Sequence, residues 1–475
     1  MTAPQRWTLA LASMASLMVG LDALVVTTAL NTIRLSLNAS MEDLEWTVNA
    51  YTLVFAALLL TAAALGDRIG RRRLLLLGLT VFSAASAACA LAPGVGPLIA
   101  ARALQGLGAA MIMPAALALV GAAFPPERRG LAMGVFGGVT GLAVLGGPVL
   151  GGAVVQGAAW EWIFWLNVPI GAVLIPFAAR RITESTGPRQ LFDLPGLLTS
   201  AIGVLGVVWA LVHANSAGWS DTSTLVGLIG GLALLVVFAV VETRVAAPML
   251  PLRLFRHRAF TAANAAGLLM TAAIFGAAFY FAQDLQVGRG LSPLAAGVHL
   301  LPWTATLFLF APLAGAQINR FGERRLIVVG LLAEAAGFGW IAVIAHAGYP
   351  ATIAPMALAG FGISIAMPAA QNAVLSAVRP QEIGKASGAY NALRQLGGAL
   401  GIAVLSTVFS ARGSYTTPQA VTDGFSAAML AACALAALGA LAGLGVVHRT
   451  PTARPAASAA PSMTSSGADV REVAR

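Results

Sequence analysis

Apolar runs long enough to cross a bilayer recur along nearly the whole chain, and this pattern alone removes most folds from consideration. A membrane-spanning helix needs about 17–25 predominantly apolar residues. Such runs fall at 8–33, 46–65, 74–92, 97–121, 131–155, 162–179, 194–213, 223–243, 260–284, 294–317, 325–346, 350–373, 386–410 and 424–447. Composition agrees, because the 475 residues are 58% hydrophobic and only 10% charged, with a mean hydropathy of +0.84. A soluble domain carries roughly 25% charged residues, so this chain cannot clothe a water-facing globule of its size. Disorder is excluded by the same numbers. None of the runs shows the ten-residue alternation of a barrel strand. The reading is an all-α polytopic membrane protein with fourteen transmembrane helices, the first preceded by Arg6 and expected to stay uncleaved.

Charge placement gives the orientation. Of the 28 basic residues, all but Arg34, Arg102, Arg289, Arg394 and Arg412 lie at the termini or in loops after even-numbered spans. Positive charge marks the cytoplasmic face, so both termini are expected inside. The first loop on the other face carries Glu42, Asp43 and Glu45 instead. The net charge of +10 is therefore topology and no sign of nucleic-acid binding. Lys385 is the only lysine, an arginine bias that suggests a high-GC bacterial genome and hence a bacterial inner membrane.

The chain also repeats itself. Asp67–Arg73, with Gly70 at its centre, recurs as Asn319–Arg325 with Gly322, 252 residues on. Gly106, Gly108, Met113 and Pro114 recur as Gly360, Gly362, Met367 and Pro368, at an offset of 254. Pro126, Gly130, Ala132 and Gly134 recur as Pro380, Gly384, Ala386 and Gly388 at that same offset. The interval covers eight spans, an even number, so the two copies run parallel. Parallel repeats about an axis along the membrane normal belong to two-halved transporters, with the substrate site between the halves. The expected units are a six-helix half at 1–183, two inserted helices with their linkers at 184–257, a second six-helix half at 258–450, and a disordered tail at 451–475, rich in Ala, Pro and Ser.

These residues resemble a family, the fourteen-helix drug/proton antiporters of the major facilitator superfamily, over nearly the whole chain up to about residue 447. Gly66-Asp67-Arg68-Ile69-Gly70-Arg71-Arg72-Arg73 is similar to the superfamily's signature loop between spans 2 and 3, with Ala63 where a glycine is usual. Arg102-Ala-Leu-Gln105-Gly106-Leu-Gly108 resembles the span 4 motif linked to proton transfer. Gly147-Pro148-Val-Leu-Gly151-Gly152 resembles the span 5 signature of exporters, with Ala143 replacing its upstream glycine. Leu21-Asp22 with Ala29-Leu30, the segment Trp162–Gly171 containing Asn167, Gly290–Pro293, and Arg394–Gly398 are similar to further family segments. The resemblance implies a major facilitator fold and proton-coupled export.

Physical reasons stand beside the likeness. Gly70 lets a short loop reverse between helices, and Asp67 can accept from arginines or from an exposed helix N-terminus. Charged contacts from Asp67, Arg68, Arg71 and Arg72 across the two halves would hold the cytoplasmic side closed; topological anchoring is the plainer alternative. Gly147, Pro148, Gly151 and Gly152 remove side chains and a backbone donor from one helix, permitting a bend and close approach. Charges within the membrane are costly and point to function. At 1.5 Å per residue, Asp22 lies about 21 Å from the cytoplasmic end of span 1, a depth similar to that of Arg102. Glu334 and Arg394 both lie roughly 12–14 Å from their cytoplasmic ends. An apolar cavity favours the protonated acid and an approaching arginine favours the carboxylate, which is the chemistry of a proton carrier. A static buried ion pair is the competing reading. Asp284, near the external end of span 9, is expected at a watery helix end that could recruit cations.

His213, His299 and His346 do not cluster, and Cys89 and Cys433 sit in apolar runs, so no metal or disulfide is expected. Neither a nucleophile nor a phosphate-binding loop stands out, which argues against an enzyme, and no cofactor is expected. The functional reading is an antiporter that exports hydrophobic or cationic organic compounds in exchange for protons, acting as a monomer. Export of one endogenous metabolite or lipid is the alternative, and a non-transporting scaffold or receptor the alternative of another class.

Overall fold

The computed structural model describes residues 1–187, 193–245, 248, 252–378 and 382–446. Arg189, Pro380 and the tail from 451 lie outside the described residues. The helices are α1 (Ala3–Leu37), α2 (Met41–Ile69), α3 (Arg71–Ala90), α4 (Val95–Ala123), α5 (Pro126–Gly157), α6 (Trp162–Trp165), α7 (Asn167–Arg181), α8 (Leu194–Ala217) and α9 (Thr222–Arg244). After a short 3-10 turn at Leu252–Arg256 come α10 (Arg258–Gln283), a π turn (Asp284–Gly288), α11 (Pro293–His299), α12 (Leu301–Phe321), α13 (Glu323–Val343), α14 (Tyr349–Ser376), α15 (Ile383–Arg412) and α16 (Pro418–Gly443). Among the described residues the regular structure is all helical.

Twelve of these helical segments are long and apolar enough to cross a membrane, and the bent α2 makes thirteen. Its parts Met41–Leu59 and Thr61–Ile69 meet at 53°. The other expected run, 294–317, is divided between α11 and α12 and is not among the thirteen. Pro302, in the first turn of α12, lacks the N–H that would continue the helix from α11. Several helices outrun their apolar stretch because polar residues cap them. Thr2 with Gln5, and Ser40 with Asp43, form capping boxes that start α1 and α2 five residues ahead of the apolar runs.

Helix pairing follows the sequence repeat. In the first half α4 packs on α2 and α3, and α1 on α5; in the second, α14 packs on α12 and α13, and α10 on α15. The repeated glycines do the same work in both copies. Gly70 (φ 111°) and Gly322 (φ 79°) hold the left-handed conformations that turn α2 into α3 and α12 into α13. The inserted α8 and α9 pack on each other, and α8 also lies against α2 and α15, where the two halves meet. At the arginine-rich end the start of α1 packs on the ends of α4 and α7: Gln5 bonds the Ala123 carbonyl at 3.0 Å, and Trp7 stacks on Phe177.

Candidate functional site

In the first half a buried polar network is assembled by close helix approach. A Cβ at Gly106 would run into the Tyr51 carbonyl of α2, and one at Gly108 would lie 2.7 Å from the Phe82 nitrogen of α3. These two glycines draw α4 against both neighbours and set Arg102 and Gln105, one turn apart, facing α1. Arg102 Nη1 donates to Asp22 Oδ2 and to Gln105 Oε1, both at 2.6 Å, and Arg102 Nε donates to the Thr47 carbonyl at 3.2 Å. Asp22 Oδ1 accepts from Gln105 Nε2 at 2.7 Å and from Asn167 Nδ2 at 2.8 Å. Ser86 ties the network to the α6–α7 junction, donating to the Phe164 carbonyl at 2.8 Å and accepting from Asn167 at 3.0 Å. The guanidinium also lies 4.3 Å from the Tyr51 ring centroid. Asp22 and Arg102 are 2% and 1% exposed, so neither charge reaches water and each depends on the other. Their similar depths in the sequence reading correspond to direct contact. Ser86 and Thr47 carried no sequence signal of their own.

The second half is built differently. Glu334 on α13 is fully buried and neither carboxyl oxygen has a hydrogen-bond partner. It stands where α13 packs tightly on α14, since a Cβ at Gly362 would collide with the Gly330 carbonyl. Arg394 does not pair with it. The guanidinium instead meets the Thr271 hydroxyl at 3.4 Å and the Met367 sulfur at 3.7 Å, over the Tyr390 ring. Asp284 departs from the expected watery helix end. It is 1% exposed and bonded to Arg289 at 2.8 Å and to the Thr422 hydroxyl at 3.0 Å. Arg289 also donates to the Ala345 and Ala347 carbonyls. The pair therefore locks the end of α10 to α16 and to the α13–α14 connection, in place of offering a free carboxylate to a cation.

The loop between α2 and α3 is tied down, but not by the expected contacts. Asp67 pairs with Arg71 at 2.8 Å, and its carbonyl accepts from Gly187 at 3.0 Å. Glu184 caps the start of α3, accepting from the backbone N–H of Arg72 at 2.9 Å and of Arg73 at 3.3 Å. Arg72 also donates to the Ala179 and Ile182 carbonyls. Arg68 stands in the last turn of α2. The contacts of Asp67, Arg71 and Arg72 thus run within the first half and to the linker at Glu184–Gly187 that follows it, in place of the expected bridge to the second half. A helix N-terminus without a side-chain cap of its own recruits the nearest carboxylate, which here belongs to Glu184.

Contact between the halves lies at the opposite, acid-bearing end, and the Gly147–Gly152 segment is part of it. On one side, a Cβ at Gly147 would meet Leu24 of α1 at 2.7 Å, and one at Gly151 would meet the Val25 carbonyl at 2.7 Å. On the other, a Cβ at Gly152 would meet Leu294 Cα at 2.7 Å, and the Pro148 carbonyl abuts Gly297 of α11. Helix α5 is thereby a strut wedged between α1 and α11. Gln286 Nε2 donates to the Thr28 carbonyl across the same seam at 2.9 Å. Glu45 and Ser406 join α2 to α15. Sequence reasoning missed both of these contacts.

The Major Facilitator Superfamily model matches residues 12–401 and 259–473. The tetracenomycin C resistance and export protein of Streptomyces glaucescens is 34% identical over 399 residues, covering 83% of this chain and 74% of that protein. The multidrug resistance protein Stp of Mycobacterium tuberculosis is 32% identical over 413 residues, covering 86% and 77%. A bacterial homologue of the human lysosomal transporter Spinster, solved inward-facing and unoccupied, has a TM-score of 0.68 at 16% identity, covering 95% of this chain and 100% of that one, and so shares the fold. With its repeated halves and its matched length, the chain belongs to the Major Facilitator Superfamily, among relatives named as drug and antibiotic resistance exporters.

Proposed function

We propose that this protein is a proton-driven antiporter, in a bacterial inner membrane with its arginine-rich end in the cytoplasm, that exports amphipathic organic compounds, lipophilic cations foremost. The observation that carries the reading is Glu334: a carboxyl group withdrawn from water, with neither oxygen partnered. An ionised group in that position would be a bare buried charge, costing several kcal/mol even after relaxation. The site therefore holds the acid, and a conformational change that admits water or a cationic substrate releases its proton. Asp22 is the complementary case. Arg102, Gln105 and Asn167 saturate it as a carboxylate in this conformation, so a proton reaching Asp22 would free Arg102 to move. Two buried acidic groups, one per half, the first paired with an arginine and the second without a partner, suit a cycle in which substrate and protons compete.

The test is export of a lipophilic fluorescent cation from proteoliposomes under an imposed pH gradient. Glu334→Gln should abolish uphill export while leaving insertion, thermal stability and downhill movement near wild type. Uphill export by Glu334→Gln at the wild-type rate would refute its role. A narrower reading draws support from the first relative, whose name carries a single compound: export of one endogenous product. A panel of unrelated cations and neutral drugs separates the two, because a dedicated exporter moves one class alone.

A further inference from the structure

At the seam between α2 and α15 a carboxyl group is buried that the coupling scheme above does not use. Glu45 lies in the second turn of α2 and is 4% exposed. Its Oε1 accepts a hydrogen bond from the Ser406 hydroxyl, so the bond joins one half of the protein to the other. Its Oε2 is shielded from water and has no partner.

Among the described residues no ion pair reaches Glu45. Glu42, on the same helix, pairs with His213 of α8 at 3.6 Å. Arg34 of α1 lies over the Tyr415 ring, 5.5 Å from its centroid. Tyr280 of α10 stacks on Phe409 of α15 at 4.8 Å, and Phe409 packs on Tyr415 at 4.9 Å, giving the seam an aromatic wall. A carboxylate closed into this wall with one bond and one bare oxygen loses its hydration without compensation. The neutral acid loses far less. Parting of α2 and α15 removes the Ser406 bond and wets the group, and the penalty on the charge disappears.

We propose that Glu45 is a proton-operated latch on the external gate. The gate shuts over a protonated Glu45, which takes its proton from the external solution, and returns that proton to the same solution on opening. Net transfer through the latch is zero, so Glu45 supplements Glu334 and does not replace it. The consequence is directional: the emptied, outward-open protein resets only after protons have arrived from outside. This rests on the exporter reading, in which the two halves part at this end, and on the acid-bearing end being external.

Spin labels at Leu35 of α1 and Gln419 of α16, both exposed at that end, report the opening in lipid nanodiscs, with Cys433 replaced by Ser. In the wild type the ratio of long to short distances should rise with pH, by up to about tenfold per unit for one linked proton. Glu45→Gln mimics the acid, keeps an acceptor for Ser406, and should hold the short distance from pH 5 to 9. Ser406→Ala should keep the pH slope but move the curve to lower pH. A wild-type slope in Glu45→Gln, a flat wild-type curve, or an unmoved Ser406→Ala curve would each overturn the latch. Export under a pH gradient, measured on the same wild-type protein, separates the two ideas. A Glu45-dependent slope without proton-driven export sinks the antiporter reading alone; proton-driven export without that slope sinks the latch alone.

Discussion

Replacing Asp22 by Asn tests whether the first half is held together by a true buried ion pair. The Asn oxygen can take the place of Oδ1 and keep the bonds from Gln105 and Asn167, so the loss is confined to the Arg102 contact at 2.6 Å. There the new amide would turn a donor toward a donor. Arg102, 1% exposed, keeps Gln105, the Thr47 carbonyl and the Tyr51 face, but no negative charge. Breaking one partner of a buried pair costs about 3–5 kcal/mol, and the retained partners place this case near the lower bound. Adding Arg102→Met removes the stranded charge and should recover about 2 kcal/mol of the loss. Thermal and denaturant unfolding of the purified single and double variants measures the cycle. A single variant as stable as the wild type, or a double variant less stable than both singles, would refute the reasoning. The same Asp22→Asn protein should lose uphill export while Asp22→Glu keeps part of it, once normal insertion is shown.

Asp67→Asn should shift stability by no more than about 1 kcal/mol, because its partner Arg71 is partly exposed, yet lower the turnover of export at normal expression. Unchanged turnover would reduce the loop to a topology signal. Gly152→Ala should cut export at least tenfold by forcing a side chain into α11, whereas Gly138→Ala, whose Cβ meets nothing within 4 Å, should be silent. Equal effects of the two would separate the motif from the seam. Tags at the amino terminus, after Arg189 and at the carboxyl terminus should report the cytoplasm, and a tag near Asp221 the exterior. An externally accessible carboxyl terminus would overturn the fourteen-span count.

Spans were legible because a bilayer demands internally bonded apolar helices, so hydropathy alone finds them. Depth was legible too, since helical rise is fixed, and it set Asp22 and Arg102 level with each other. Which way each helix turns its side chains is a tertiary matter, so Ser86 and Thr47 stayed invisible. Glu184 binds the backbone of Arg72 from 112 positions away, and nothing local to either residue marks that contact. Glu45 is a different kind of miss. Hydropathy begins the second span at residue 46 and leaves Glu45 in a loop, but Ser40 with Asp43 three residues on is a capping box legible in the sequence. Starting the helix there places Glu45 in its second turn, on a surface that the second half covers.

The repeat holds the remaining lesson. Gly108 presses on the backbone at Phe82, and Gly362 presses on the backbone at Glu334. The first pair of positions maps onto the second at the offsets of 254 and 252 that the motifs define. Glu334 therefore occupies a helix–helix contact that the other copy fills with a buried phenylalanine. Packing alone is satisfied by the phenylalanine, as the first half demonstrates. A carboxyl group in the equivalent place gives up apolar contact, and in the proposed cycle it gains the ability to bind a proton. The two halves share a frame because both must pack in the same way. They diverge at Glu334, and again at Asp22 with Arg102, where the proposed coupling chemistry needs charges that the frame itself does not.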